Sequence, residues 1–254
     1  MESKYGRLDR LLSKHTGLSL RALKPVLAAG RVQVAGEPVY RADVRVGPFS
    51  EVVLDGKQVR EAETPIYLML NKPAGVVSAT LDDRHRTVID LLRETDFAEQ
   101  ADTLHLAGRL DATSTGLMLL TNDGAFSRAL SQPDRRVAKR YLVDTEKAME
   151  NADVLAFAKG MYFATEDITT RPAELEILAP RRARVTLYEG RYHQIRRMFA
   201  QRDNRVTAIH RESIGPLALP DNLSPGTGNR KCGVEGKSVE PGGRRIIKNN
   251  RPHS

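Results

Sequence analysis

The segment GRLDATSTGLMLLTNDG, residues 108–124, narrows the possible folds more than any other part of the sequence. Its four apolar residues at 117–120 follow one another without polar alternation, which is typical of a β-strand covered on both faces. Leu104 and Leu106 alternate with polar residues before this segment, so a second strand is expected there. Asp111 then lies in a loop between two strands. We therefore expect a layered sheet in which this loop presents a carboxylate at a cleft.

Two interpretations of Asp111 remain open from these residues alone. An aspartate in a loop rich in serine and threonine often accepts hydrogen bonds from backbone amides. The same side chain, on a loop fixed by a strand at each end, also suits catalysis. A phosphate-binding loop is disfavoured because the segment lacks the Gly-Lys-Ser/Thr ending that grips phosphates.

The chain has 254 residues, of which 40% are hydrophobic, and this is enough for one large domain with or without a small one. Its formal net charge is +8, which favours a polyanion such as nucleic acid as a partner. The charge is unevenly distributed, with +5 over residues 1–60, −2 over residues 61–223 and +5 over residues 224–254. We interpret this pattern as a near-neutral body between two basic, polyanion-binding ends.

Several classes of protein and site are disfavoured. Cys232 is the single cysteine, which excludes internal disulfides and cysteine-cluster zinc sites. The six histidines show no HExxH spacing, so no metal site is predicted. No apolar run approaches the roughly 18 residues needed to span a bilayer, and the first residues, MESKYGR, are charged. We therefore expect a cytoplasmic protein without membrane association.

Residues 1–60 predict a small domain of two helices followed by strands. Three leucines at helical spacing give the first helix an apolar stripe, and Ser19 can cap a second helix that ends near Gly30. The pair Asp55-Gly56 predicts a hairpin.

The segments RLDRLLS and AGRVQVAGEPV resemble the S4 domain, a small RNA-binding module. By that resemblance the domain docks structured RNA through phosphate and shape contacts. The basic residues predicted to bind RNA there are Arg7, Arg10, Arg21, Lys24 and Arg31. A merely solvated helix face is the alternative interpretation.

Further segments resemble a known enzyme family. They are, in order, LNKPAGVVS, GRLDATSTGLMLLTNDG, RRVAKRYLVD and EGRYHQIRRMFA. Together they resemble the pseudouridine synthases, in the branch that modifies ribosomal RNA and begins with an S4 domain. FAKGMYFATEDITTRPAELEIL and HRESIGPLAL are most similar to the small-subunit enzymes of that branch.

This resemblance implies an α+β fold, in which the S4-type domain precedes a mixed, largely antiparallel sheet with flanking helices and a central cleft. The implied domains are residues 1–60 for RNA binding, a linker at 60–65, and residues 65–223 for catalysis. The implied activity is isomerisation of a uridine in 16S rRNA, at uridine 516, without a cofactor or metal. The implied partner is 16S rRNA or a small-subunit assembly intermediate, and the implied state is a monomer.

The family's functional residues map onto this chain by motif. Asp111 would be the catalytic carboxylate, as nucleophile or as base. Because a buried aspartate tends to become neutral, Arg196 would pair with it and keep it ionised. Tyr141 would stack on a flipped uridine. The resemblance adds four RNA-binding side chains, Arg109, Lys72, Lys139 and Arg197, and we interpret Tyr192 and His193 as pocket structure.

Residues 224–254 depart from the family pattern. They are rich in glycine and basic residues and have no helical or strand period, which predicts a basic, disordered tail. Two other functions remain open, namely a large-subunit 23S rRNA pseudouridine synthase and a noncatalytic RNA-binding or ribosome-assembly protein.

Overall fold

A computed structural model of the protein describes residues 5–230. The chain divides into two compact units, Met1–Pro65 and Ile66–Ser254. Among residues 5–230, no helix has the length and apolar character needed to cross a membrane.

Two helices and six short strands form the first unit. They are β1 (Gly6–Arg7), α1 (Leu8–Thr16), α2 (Leu20–Ala28), β2 (Val32–Val34), β3 (Glu37–Pro38), β4 (Arg45–Val46), β5 (Val52–Leu54) and β6 (Lys57–Arg60). Ser19 caps α2 as predicted, since its side chain accepts a hydrogen bond from Ala22 N. The predicted hairpin is also confirmed, with positive φ at both Asp55 and Gly56. The core of this unit consists of Leu8, Leu12, Leu23, Leu27, Val32, Val46 and Val52.

One nine-stranded sheet organises the second unit. The strands of the unit are β7 (Tyr67–Lys72), β8 (His105–Leu106), β9 (Thr115–Thr121), β10 (Lys139–Thr145), β11 (Tyr162–Phe163), β12 (Ile168–Thr169), β13 (Glu174–Ala179), β14 (Arg182–Leu187), β15 (Val206–Ile214), β16 (Leu217–Ala218) and β17 (Gly228–Arg230). The order in the sheet is β13-β14-β10-β15-β9-β7-β17, with β8 beside β9 and β16 beside β15, while β11 and β12 pair separately. Of its described pairs, only β9 with β15 is parallel, so the predicted mixed, largely antiparallel fold is confirmed.

The apolar run of β9 is covered on both faces, as the sequence predicts. Met118 and Leu120 belong to the larger core cluster of the unit, whereas Leu117 and Leu119 belong to a second cluster. Four helices accompany the sheet, namely α3 (Val88–Arg93), α4 (Gly124–Ser131), α5 (Asn151–Lys159) and α6 (Gln194–Ala200). Uninterrupted apolar side chains in β9 are therefore explained by burial on two sides.

Strands β9 and β15 are in close backbone contact at Gly116. This glycine has a φ of 102°, and a Cβ added to it would lie 2.4 Å from the carbonyl oxygen of Arg211. Only glycine tolerates both the positive φ and the close backbone contact. The parallel pairing at Thr115 and Gly116 thus brings the end of the Asp111 loop beside Arg211.

The end of the described chain differs from the prediction. Residues 228–230, which fall in the segment expected to be disordered, form β17 and pair antiparallel with β7. Pairing at a sheet edge uses backbone groups, so it needs no hydrophobic periodicity in the added strand. Residues 231–254 of the predicted tail, including Cys232, lie outside the described residues.

Candidate active site

The Asp111 loop, residues 109–114, leads into β9 and is fixed by hydrogen bonds to its backbone. Ser78 Oγ donates to Leu110 O at 2.7 Å and accepts from Leu110 N at 3.0 Å. Gly75 N donates to Ala112 O at 2.7 Å. The side chain of Asp111 is 32% exposed. A carboxylate that reaches solvent is therefore carried on a backbone held on both sides of it.

Lys72, the last residue of β7, binds the same loop from within the protein. It is fully buried, and its Nζ donates to Pro73 O at 2.9 Å, Ala112 O at 3.2 Å and Ser114 O at 2.8 Å. Burial lowers the pKa of Lys72 from 10.5 to about 8; the charge of Asp111 opposes this shift, and that of Arg211 adds to it. The prediction that Lys72 contacts RNA is wrong, because its side chain has no exposed surface.

Arg211 of β15 is a second buried cation at the loop. It is 2% exposed; its Nε donates to Leu117 O at 2.7 Å and its Nη1 to Arg109 O at 3.2 Å. Among the residues that the structure describes, it has no carboxylate partner. Arg211 was not among the residues predicted from sequence. Its buried position could have been inferred from spacing, because Arg211 lies two positions after Ile209 and so shares the inward-facing side of the strand.

The carboxylate of Asp111 pairs with His193 and not with Arg196. His193 Nε2 lies 3.4 Å from Asp111 Oδ1. Arg196 instead donates from Nη2 to Thr113 Oγ1 at 3.0 Å and from Nη1 to Val206 O at 3.1 Å. The predicted direct pair of Arg196 with Asp111 is therefore wrong for this structure, because a loop hydroxyl and a strand carbonyl occupy the guanidinium. Arg196 nevertheless contacts the loop that carries Asp111.

Tyr141 lies on β10, where it is paired with Arg211 of β15. It is 7% exposed, and the guanidinium carbon of Arg211 lies 6.0 Å from the centroid of its ring. That distance is near the limit of a cation–π contact. Its proposed stacking on a uracil remains a prediction.

The other three predicted RNA-binding side chains of the second unit differ in environment. Arg109 is exposed. Lys139 is half-buried; burial, with the charge of Arg211, lowers its pKa. Arg197 forms a bidentate ion pair with Glu166, both N–O distances being 2.6 Å. Because Arg197 is neutralised within the protein, its contact with RNA phosphate is not supported.

The five basic side chains predicted for the first unit fall into two groups. Arg7 pairs with Asp9 at 2.7 Å, and Arg31 pairs with Asp55 at 2.6 Å. The exposed members without an ion pair among residues 5–230 are Arg10, Arg21 and Lys24. Of the five predicted side chains, these three are the ones that no ion pair of the described residues engages.

The arrangement around Asp111 suits chemistry that needs one ionised carboxylate. Two buried cations, Lys72 and Arg211, lie against its loop, and His193 contacts it directly. In the described part of the chain, no group of three or more His, Cys, Asp or Glu side chains is placed to hold a metal ion.

Comparison with known proteins points to one family. The family model for RNA pseudouridylate synthase matches residues 66–201. A Pseudomonas aeruginosa protein named ribosomal small subunit pseudouridine synthase A is 46% identical over 220 residues, which cover 87% of this chain and 94% of that relative. The protein of the same name from Escherichia coli K12 is 40% identical over 220 residues, covering 87% and 94% respectively.

A solved structure described as a pseudouridylate synthase is also similar to this chain. It superposes with a TM-score of 0.63 and 34% sequence identity, and the match covers 88% of this chain and 95% of that one.

Proposed function

The chain belongs to the RNA pseudouridylate synthase family, and from that premise we propose that it converts a uridine of small-subunit ribosomal RNA to pseudouridine. The observation that carries the proposal is the Asp111 loop, which presents one solvent-accessible carboxylate and whose backbone is bound by two buried cations. The names of the relatives favour the small subunit. We further propose uridine 516 of 16S rRNA as the target and the cytoplasm as the location.

The reaction needs little beyond a carboxylate and a closed pocket. The bond from ribose C1′ to uracil N1 breaks, the base turns, a bond from C1′ to C5 forms, and the C5 proton is replaced by a proton on N1. Asp111 either attacks C1′ or removes a sugar proton. Both routes require the ionised acid, and Lys72 and Arg211 hold the loop that carries it through its backbone carbonyls. No redox change occurs, so no cofactor is called for.

A uridine in folded RNA reaches Asp111 only after it leaves its stack, at a cost of a few kcal/mol. Tyr141 is proposed to recover part of that cost by packing on the base, as aromatic side chains do with single-stranded nucleic acids. Arg109, which is exposed on the same loop, is proposed to bind phosphate or to occupy the place that the uridine leaves in the RNA.

The first unit is proposed to be an S4-type RNA-binding domain. Its exposed cations Arg10, Arg21 and Lys24, which form no ion pair with any residue from 5 to 230, support this role. Binding through phosphate contacts orients the RNA without reading its sequence.

Mapping of pseudouridine tests the proposed function. The protein is incubated with 16S and 23S transcripts and with small-subunit assembly intermediates, and each RNA is then mapped for pseudouridine. We expect one modified uridine in the small-subunit RNA. Modification of 23S RNA alone would assign the large-subunit function, and RNA binding without any product would leave a noncatalytic binder.

The variant Asp111→Asn tests the role of the carboxylate. Because an amide can neither attack C1′ as an anion nor accept the sugar proton, we expect no product. Affinity for the same RNA should stay within about threefold of the wild type, since phosphate contacts are untouched. Substantial turnover by Asp111→Asn would contradict the assignment.

A further inference from the structure

Two aromatic rings stack beside the candidate catalytic carboxylate. The rings of Tyr192 and His193 have centroids 4.0 Å apart and an interplanar angle of 12°. His193 Nε2 lies 3.4 Å from Asp111 Oδ1. Tyr192, stacked on a face of the histidine ring, is 73% exposed. A large aromatic surface is therefore open to solvent, separated from Asp111 by the ring of His193.

The backbone that carries these rings is fixed in an uncommon conformation. His193 has φ 49° and ψ 31°, which is the left-handed region and costs free energy for a residue other than glycine. The buried carboxylate of Glu189 accepts from Gln194 Nε2 at 2.9 Å, and Gln194 Oε1 accepts from Arg191 N at 3.1 Å. The segment between them is thus held in place, so the exposure of Tyr192 is built into the fold.

We propose that Tyr192 is a stacking platform for a nucleobase next to the uridine that enters the Asp111 site. This inference rests on the proposed function and extends it to a second nucleotide of the substrate. When the uridine leaves the RNA stack, its neighbour loses one stacking partner. Tyr192 offers a flat face that continues the stack of Tyr192 on His193, and aromatic side chains bind unstacked bases in this way.

A double-mutant cycle between protein and RNA tests the platform. The two proteins compared are the wild type and Tyr192→Ala. Each is assayed with an RNA that the wild type modifies, and with versions of that RNA that carry an abasic nucleotide at one position flanking the modified uridine. We expect Tyr192→Ala to raise KM for intact RNA by about 5-fold or more, with little change in kcat. At one flanking position, removal of the base should raise the wild-type KM similarly and leave that of Tyr192→Ala almost unchanged.

Two matched variants complete the cycle. Tyr192→Phe keeps the ring and should keep the wild-type KM. Tyr162→Ala removes another exposed tyrosine of the second unit and should also leave KM unchanged. An unaltered KM for Tyr192→Ala, or strictly additive effects of Tyr192→Ala and every abasic position, would overturn the platform.

A spectroscopic measurement tests the platform independently of turnover. The chain contains no tryptophan, so Tyr192→Trp introduces a single reporter. Combined with Asp111→Asn, it allows binding to be followed on unreacted RNA. We expect the tryptophan fluorescence to be quenched by intact RNA and much less by the RNA that is abasic at the position found above. No quenching at saturating RNA would refute stacking, whereas failure of the wild type to form pseudouridine would refute only the proposed function.

Discussion

At the scale of single residues, three cations contact the Asp111 loop, whereas the sequence motifs predicted only Arg196 beside Asp111. Arg196 fixes the Asp111 loop through Thr113, while the buried charges of Lys72 and Arg211 lie against the loop from the sheet side. The side chains of Lys72 and Arg211 donate their hydrogen bonds to backbone carbonyls. Within residues 5–230 neither of them forms an ion pair, and the charge of Asp111 acts on Lys72.

Lys72→Met is expected to lower kcat by at least about 10-fold, because Asp111 loses a neighbouring charge and the loop loses a donor. In the wild type, kcat should fall as pH rises above about 8, where Lys72 loses its proton. The measurement is a pH profile of kcat for both proteins, and this alkaline decline should be absent from Lys72→Met. An identical decline in the variant would assign it to another group.

The shifted pKa of Lys72 predicts that stability changes with pH in the direction opposite to kcat. The pKa of Lys72 is about 8 in the folded protein and 10.5 by reference, so the unfolded chain binds more protons between these values. The contribution of Lys72 to the free energy of unfolding therefore rises with pH across this window. Denaturant titrations at several pH values distinguish the loss of activity from unfolding, since Lys72→Met should lack this component of the rise.

At the scale of elements, the site depends on the close parallel pairing of β9 with β15. Gly116→Ala would place a Cβ 2.4 Å from the carbonyl oxygen of Arg211, at a φ of 102°. We expect it to destabilise the protein by at least about 2 kcal/mol.

Thermal or denaturant unfolding measures this effect, with two controls that separate its causes. Gly75→Ala introduces a positive-φ alanine without a close contact, and Gly190→Ala introduces neither problem. The loss of stability should be largest for Gly116→Ala, smaller for Gly75→Ala and smallest for Gly190→Ala. A Gly116→Ala protein as stable as the Gly190→Ala protein would contradict the close packing of the two strands.

The second prediction at this scale concerns helix α2. Arg21 and Lys24 are exposed on it, so replacing both with glutamine should weaken RNA binding and reduce the salt dependence of affinity by about one unit of slope per lost contact. The matched control replaces Arg31 and Arg41, which are paired with Asp55 and Asp43. If both double substitutions changed the salt slope equally, the absence of an ion-pair partner would not determine which exposed cations bind RNA.

Elements that depend on neighbouring residues could be predicted from sequence, and contacts between distant residues could not. The Ser19 cap, the Asp55-Gly56 hairpin and the doubly covered run in β9 follow from local patterns. By contrast, β17 joins the sheet through backbone groups. The inward position of Lys72 and the role of Arg211 depend on contacts with residues 40 to 100 positions away. A local sequence pattern contains no information about such contacts.

At the scale of the whole molecule, the two units have separate hydrophobic cores. A protein that lacks residues 1–60 should therefore retain the fold of the second unit and its kcat at saturating RNA. Its KM should rise and the salt dependence of binding should become shallower, because the exposed cations of α2 are removed. Kinetics at several salt concentrations test this, and an unchanged KM and salt slope would show that the first unit does not bind the substrate.

The anchors of the Asp111 loop come from residues as far apart as 72 and 211. During synthesis the carboxylate is made early, yet Arg211 is added about a hundred residues later. A nascent or prematurely terminated polypeptide that stops before Arg211 therefore lacks part of the support for its reactive acid. Nearly all of the chain up to Arg211 must therefore be translated before the Asp111 loop has both of its buried anchors.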